Sequence, residues 1–136
     1  MKLLLDTHIW LFSLIDPGRL SQRVVRALEA EDSELWLSSM SVWEALALAE
    51  KGLVELDVEP EEWIERALRC APLIEAPVTH EIARESLRVE LDHPDPADRL
   101  LVATARVHEL TLVTADKRLA QGGGVPVLAC AVQLSR

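Results

Sequence analysis

Lys2-Leu3-Leu4-Leu5-Asp6-Thr7, near the start of the chain, is the stretch from which the fold is read. A short apolar run that stops on a carboxylate reads as a buried strand whose last residue emerges at one edge of a sheet. In open α/β sheets ligands collect beyond the carboxyl ends of the strands, so Asp6 is a candidate site residue. It is equally well placed to cap a helix starting near His8, and alone it supports either role. Three further acids at comparable junctions, Glu44, Asp98 and Asp116, shift the balance toward a site.

Outward from that strand, Thr7 to Leu14 is apolar almost throughout and predicts a buried helix, ended by Asp16-Pro17-Gly18. Ser21 is expected to cap a second helix running to about Glu31, with Val24, Val25 and Leu28 facing inward. Leu35-Trp36-Leu37 predicts a second strand, followed by a helix from Ser41 to Lys51 that Gly52 closes. Pro60 opens another helix that stops before Pro72. Leu73 to Val78 reads as a third strand or an irregular link, and Thr79 caps the next helix. Leu110 to Thr114 is the clearest later strand. Val125 to Leu128 supplies a last one, which Pro126 puts at an edge. Gly122-Gly123-Gly124 predicts a flexible turn, because it follows no strand and lacks the Lys-Ser/Thr of a phosphate loop.

The later acids each admit two readings. Ser41-Val42-Trp43-Glu44 has the spacing of a capping box, in which the Glu44 carboxylate reaches back to the Ser41 amide. The same strand-turn-helix context also puts Glu44 at a carboxyl edge, and the two roles can coexist. Asp95-Pro96 is an N-cap followed by proline at the first helical position, which sets Asp98 at the third, equivalent to Glu44. A carboxylate there is favoured by the free amides of the helix start. Asp116 either caps a short helix from Lys117 to Ala120 or repeats the pattern of Asp6.

The length of 136 residues fits a single domain, residues 1–136, and 49% apolar residues suffice for a core. Cys70 and Cys130 show neither a disulfide framework nor zinc spacing, and both are expected to be reduced core residues. No stretch reaches signal-peptide or membrane-span length, so a cytoplasmic protein is expected. With 14 Lys+Arg against 23 Asp+Glu, the net charge of −9 excludes a generally basic nucleic-acid-binding surface. It suits a basic partner or the concentration of divalent cations. The tryptophans Trp10, Trp36, Trp43 and Trp63 either fill the core or leave apolar surface for assembly.

Asp6-Thr7, Ser41-x-x-Glu44, Asp98-Arg99-Leu100-Leu101-Val102-Ala103-Thr104-Ala105 and Thr114-Ala115-Asp116 resemble, in order and spacing, the PIN-domain ribonucleases. The opening Asp6-Thr7-His8-Ile9-Trp10 and the segment His93-Pro94-Asp95-Pro96-Ala97-Asp98-Arg99 are most similar to the VapC-like toxins of toxin–antitoxin pairs. The resemblance covers essentially the whole chain. It implies an α/β, three-layer fold with a mainly parallel central sheet flanked by helices, and a metal-dependent endoribonuclease using Mg²⁺ or Mn²⁺. It also implies a homodimer held inactive by a VapB-like antitoxin.

The residue chemistry agrees with that. Hard divalent ions take oxygen ligands, and a cluster of acids open on one side suits Mg²⁺ better than histidine or thiolate would. Such an ion lowers the pKa of a water and neutralises charge on the phosphate, so no separate nucleophilic residue is needed. Asp6, Asp98 and Asp116 are the expected main ligands, with Glu44 holding a metal water or a second ion. Thr7 and Thr114 are expected to orient carboxylates. Arg99, Lys117 and Arg118 are candidate contacts to the RNA backbone, with a solvated helix surface as the alternative. His8 and His93 are expected to be structural. A haloacid-dehalogenase-type phosphatase would need an aspartate where His8 stands, and a receiver domain would distribute its acids differently. The remaining alternative is a catalytically inactive PIN-like module that binds RNA or protein.

Overall fold

A computed structural model describes residues 1–54, 56–90, 95–122 and 124–131 of the chain. Leu3, Leu4 and Leu5 are all excluded from solvent, as a strand covered on both faces requires, and they form the central strand β1 (Lys2–Leu5). Around it lie β2 (Glu34–Ser38), β3 (Ile74–Ala76), β4 (Thr111–Thr114) and β5 (Val127–Ala129), in the order β3-β2-β1-β4-β5, every pair parallel. The helices are α1 (Thr7–Ile15), α2 (Gln22–Glu29), α3 (Ser39–Glu50), α4 (Pro60–Arg69), α5 (His80–Glu85), α6 (Pro96–His108) and α7 (Lys117–Gly122). This is the α/β architecture expected, with Leu73 to Val78 containing a strand.

Alternation along the strands divides the core into two layers. Leu3 and Leu5, with Val113 of β4 and Leu128 of β5, face Ile9, Trp10, Val24, Ala45 and Ile64 from α1 to α4. Leu4 and Leu112 point the other way, onto Ile82 of α5, Leu101, Val102 and Ala105 of α6, and Leu119 of α7. Each such leucine contributes about 1.5–3 kcal/mol on burial, so β1 cannot shift register by one residue without exchanging its two faces.

Chain direction creates the crevice. After β1 the chain steps to β2 and β3 on one side, then returns to place β4 against the other side of β1. The β1–β4 boundary is therefore a topological switch point, and the residues after these two strands, Asp6 and Asp116, open onto it.

Several local expectations change. Ser38 takes the N-cap position of α3, its Oγ accepting the Met40 amide at 3.0 Å, so Ser41 lies inside the helix and the capping box does not form. Ser21 stands at the N-cap of α2 without a side-chain cap, its hydroxyl instead 3.7 Å from Cys130 Sγ. Cys130 is buried as expected, whereas Cys70 is exposed at the end of α4, where the amphipathic helix turns its last residues outward. Trp10 packs against Trp63 and Trp36 against His108, but Trp43 stands 65% exposed. His93 and Gly123 lie outside the described residues. Among the described residues no helix is long and apolar enough to cross a membrane.

Candidate active site

Asp6 occupies the N-cap position of α1 through its backbone, the carbonyl accepting the Trp10 amide at 3.1 Å, yet its side chain makes no capping bond. Its Oδ2 instead accepts a 2.7 Å hydrogen bond from Thr114 Oγ1 at the end of the adjacent strand. Thr114 Oγ1 also accepts the Asp116 amide at 3.0 Å. A single buried hydroxyl thus ties the carboxylate after β1 to the backbone after β4. Asp116 does cap α7, its Oδ1 accepting the Arg118 amide at 2.8 Å.

On the other flank of Asp6, Thr7 reaches across to α3. Its Oγ1 lies 2.6 Å from Glu44 Oε1 and 2.9 Å from Ser41 Oγ. A hydroxyl has one proton and a carboxylate is the stronger acceptor, so Thr7 donates to Glu44 and accepts from the Ser41 hydroxyl. Ser41 and Glu44, three residues apart, lie on one face of α3, which is the real content of the S-x-x-E spacing. That role for Ser41 was missed because the same spacing signals a capping box.

Asp98 sits at the third position of α6, behind Asp95, whose Oδ1 caps the helix through the Ala97 amide at 2.9 Å. Its carboxyl is pushed up to about 7, first by burial and then by the charges of Asp95, Asp6, Asp116 and Glu44. All four expected acids therefore act within one electrostatic environment, although they come from four separate segments. Burial likewise raises the Asp6 carboxyl, against the Thr114 hydrogen bond, the His8 charge and the Thr7 amide, with Asp116 adding to the rise.

The expected basic residues lie around this edge in different states. Arg118 is exposed, with Nε 3.6 Å from Asp116 Oδ1, so it is engaged with the acid it follows. Lys117 is exposed and Arg99 half-buried. His8 is exposed, its ring 6.3 Å from that of Phe12, and does not pack into the core as expected. As the second residue of α1 it is carried beside Asp6, away from the apolar stripe of its helix.

The donor set is all oxygen and anionic, which fits a hard divalent cation. Among the described residues no three acidic, histidine or cysteine side chains stand close enough to grip one ion directly. Mg²⁺ retains several waters and binds through few direct carboxylates, so carboxylates spaced for contacts through water remain compatible with it.

A family model described as PIN domain matches residues 3–124. Ribonuclease VapC22 of Mycobacterium tuberculosis is 33% identical over 117 residues, spanning 85% of this chain and 88% of that protein. Among solved structures, VapBC2 from Rickettsia felis bound to a DNA fragment from its promoter aligns with a TM-score of 0.71 at 16% identity, covering 96% of this chain and 99% of the other. A toxin-antitoxin complex from Klebsiella pneumoniae aligns with a TM-score of 0.63 at 27% identity, covering 93% and 95%.

Proposed function

This chain belongs to the PIN-domain family, and we propose that it is a metal-dependent endoribonuclease, the toxin of a toxin–antitoxin pair. The observation that supports the reading is how the acids are tied together: Thr114 Oγ1 joins Asp6 Oδ2 to the Asp116 amide, and Thr7, next to Asp6, binds Glu44 Oε1. Four carboxylates gathered on one open edge repel one another, and a divalent cation relieves that repulsion. Asp6, Asp98 and Asp116 would hold Mg²⁺ or Mn²⁺ directly or through water, with Glu44 beside them. An ion there supplies Lewis acidity, polarising the phosphate and acidifying the attacking water.

The chain's own contribution is orientation. Thr114 holds Asp6 Oδ2, and Thr7, itself hydrogen-bonded to Ser41, holds Glu44 Oε1, so two of the acids are oriented by the chain's own hydroxyls. The ribonuclease name of the relative supports RNA as substrate, and the toxin-antitoxin complex supports a protein inhibitor. A homodimer belongs to the same proposal.

The test is cleavage of single-stranded RNA by purified protein in Mg²⁺ or Mn²⁺, its loss with EDTA, and its absence in Asp98→Asn. Cleavage that persists in EDTA would remove the metal assignment. A folded protein that binds RNA without cutting it under any divalent ion would make it an inactive binding module.

A further inference from the structure

Cations are scarce in this chain, 14 Lys+Arg against 23 Asp+Glu, and on the later helices they are neutralised locally. Arg66 and Arg69 of α4 pair with Glu62 and Glu65, and Glu85 of α5 holds both Arg88 and Arg106. α2 is different. Its Arg23 and Arg26 are exposed on one face, three residues apart, and among the described residues neither joins an ion pair.

Two series of contacts place this face beside the acids. Along α1, the exposed His8 follows Asp6 by two residues, its ring is 6.3 Å from that of Phe12, and the Arg19 guanidinium lies 4.4 Å over the Phe12 ring. Across the sheet, the Cys130 amide donates to the Thr114 carbonyl at 2.9 Å, and the Ser21 amide donates to Cys130 Sγ at 3.5 Å. Thr114 is the residue that holds Asp6, so α2 starts at the same carboxyl edge as the acids. From there Arg19, Arg23 and Arg26 lead away from Asp6 and Asp116.

Resting on the endoribonuclease reading above, we propose that Arg19, Arg23 and Arg26 form a track for the backbone of single-stranded RNA, holding phosphates that flank the one at the acidic edge. Charge and continuity with that edge select the occupant. An acidic protein segment would also be drawn to arginines, but a protein contact is held by buried apolar or aromatic anchors. α2 offers none, since its exposed residues are Gln22, Arg23, Arg26 and Glu29, while Val24 is buried. Phosphate contacts from arginine need no such anchor. Glu29, at the far end of the helix, closes the track. The overall charge of −9 is then offset where the strand lies, and the contacts carry no base preference.

The experiment uses the full chain carrying Asp98→Asn, titrated at several salt concentrations with oligouridylates of about 4 and about 12 nucleotides, with oligoglutamate as a second probe. Combining Arg23→Ala with Arg26→Ala is expected to weaken binding of the longer oligouridylate roughly tenfold and to shallow its slope of log affinity against log salt by about 1.4, the value for two phosphate contacts. The shorter one, which spans little beyond the acids, should change much less. In the otherwise wild-type chain the same pair should raise KM on long RNA and leave kcat within about twofold. Arg66→Ala with Arg69→Ala, which removes as much charge from α4, should leave the slope unchanged. An unchanged slope in the α2 variant overturns the track. So does a slope that falls equally in the α4 variant, which would show only net charge at work. If the α2 variant loses oligoglutamate while RNA affinity holds, the face is a contact for acidic protein and the proposal is equally overturned. A wild-type chain that cuts no RNA under any divalent ion would sink the endoribonuclease reading, and the salt slopes would still decide the track.

Discussion

Thr114 Oγ1 donates to Asp6 Oδ2 across 2.7 Å, joining the ends of two neighbouring strands that are 108 residues apart in sequence. Because the same oxygen accepts the Asp116 amide, removing it leaves two polar groups without their partner in a buried position. Thr114→Val is expected to cost about 1–3 kcal/mol of stability and to lower kcat/KM on RNA by about 10- to 100-fold. Thr114→Ser should stay within a few-fold of wild type. A valine variant with full turnover and only a lower Tm would make Thr114 a brace with no part in orienting Asp6.

Thr7 performs the corresponding task for Glu44 from the opposite side. Thr7→Val removes the donor to Oε1 while keeping the shape of the buried side chain. It is expected to lower kcat/KM roughly tenfold, as loss of an orienting hydrogen bond does. If the two residues act as one unit, Thr7→Val combined with Glu44→Gln will be no slower than Glu44→Gln alone. Losses that multiply in the double variant would show independent roles.

The raised carboxyls make stability pH-dependent in a definite direction. Asp98 titrates near 7 folded against an ordinary value of 3.8, and Asp6 is shifted the same way, so the folded state holds more protons between those limits. Stability is therefore fully present below about pH 4 as far as these groups are concerned, and falls as pH rises toward 7. In EDTA, thermal unfolding is expected to show Asp98→Asn with a higher Tm than wild type at pH 8 and little difference at pH 4.5. Adding Mg²⁺ or Mn²⁺ at pH 8 should raise the wild-type Tm, by about 1.4 kcal/mol of stabilisation at tenfold its Kd, and should do much less for the variant. A wild-type Tm indifferent to both pH and divalent ions would remove the acidic cluster as a cation site.

Asp95 and Asp98 lie on the same helical turn and are separated by function. Asp95 Oδ1 caps α6, so Asp95→Ala should lose about 1 kcal/mol of stability. It should retain cleavage, whereas Asp98→Asn should retain the fold and lose cleavage. Tm and turnover measured on both variants check this, and a reversal of the two phenotypes would exchange their roles.

The layering was legible because Leu3, Leu4 and Leu5, and likewise Leu112 and Val113, are consecutive apolar residues and so apolar on both faces, as a strand covered on both sides requires. The acids were legible by position only, each with a capping alternative that sequence could not decide: Asp116 does cap α7, whereas the Asp6 side chain makes no capping bond. What failed was the local assignment at α3. Ser38 and Ser41 both offer a capping hydroxyl, and which one is used depends on where β2 releases the chain, a tertiary property. The Thr7 contact that gives Ser41 its place spans 34 residues and leaves no periodic trace. Cys70 departs for a similar reason: cysteine is commonly buried, but Cys70 follows Leu68 and Arg69 at the end of α4, all three of them exposed.

Arg118 presents the last distinction, because its amide and its guanidinium both engage Asp116, at 2.8 Å and 3.6 Å. A residue that only steadies Asp116 acts on kcat, whereas one that also meets an RNA phosphate acts on KM and on its salt dependence. We expect the second. Arg118→Ala should raise KM a few-fold, and the slope of log affinity against log salt should shallow by about 0.7, the value for one phosphate contact on a single strand. Lys117→Ala, on an exposed neighbour, should do the same, and the double variant should shallow the slope by about twice as much. Measured from oligonucleotide titrations at several salt concentrations, an unchanged slope with reduced kcat would confine Arg118 to holding Asp116.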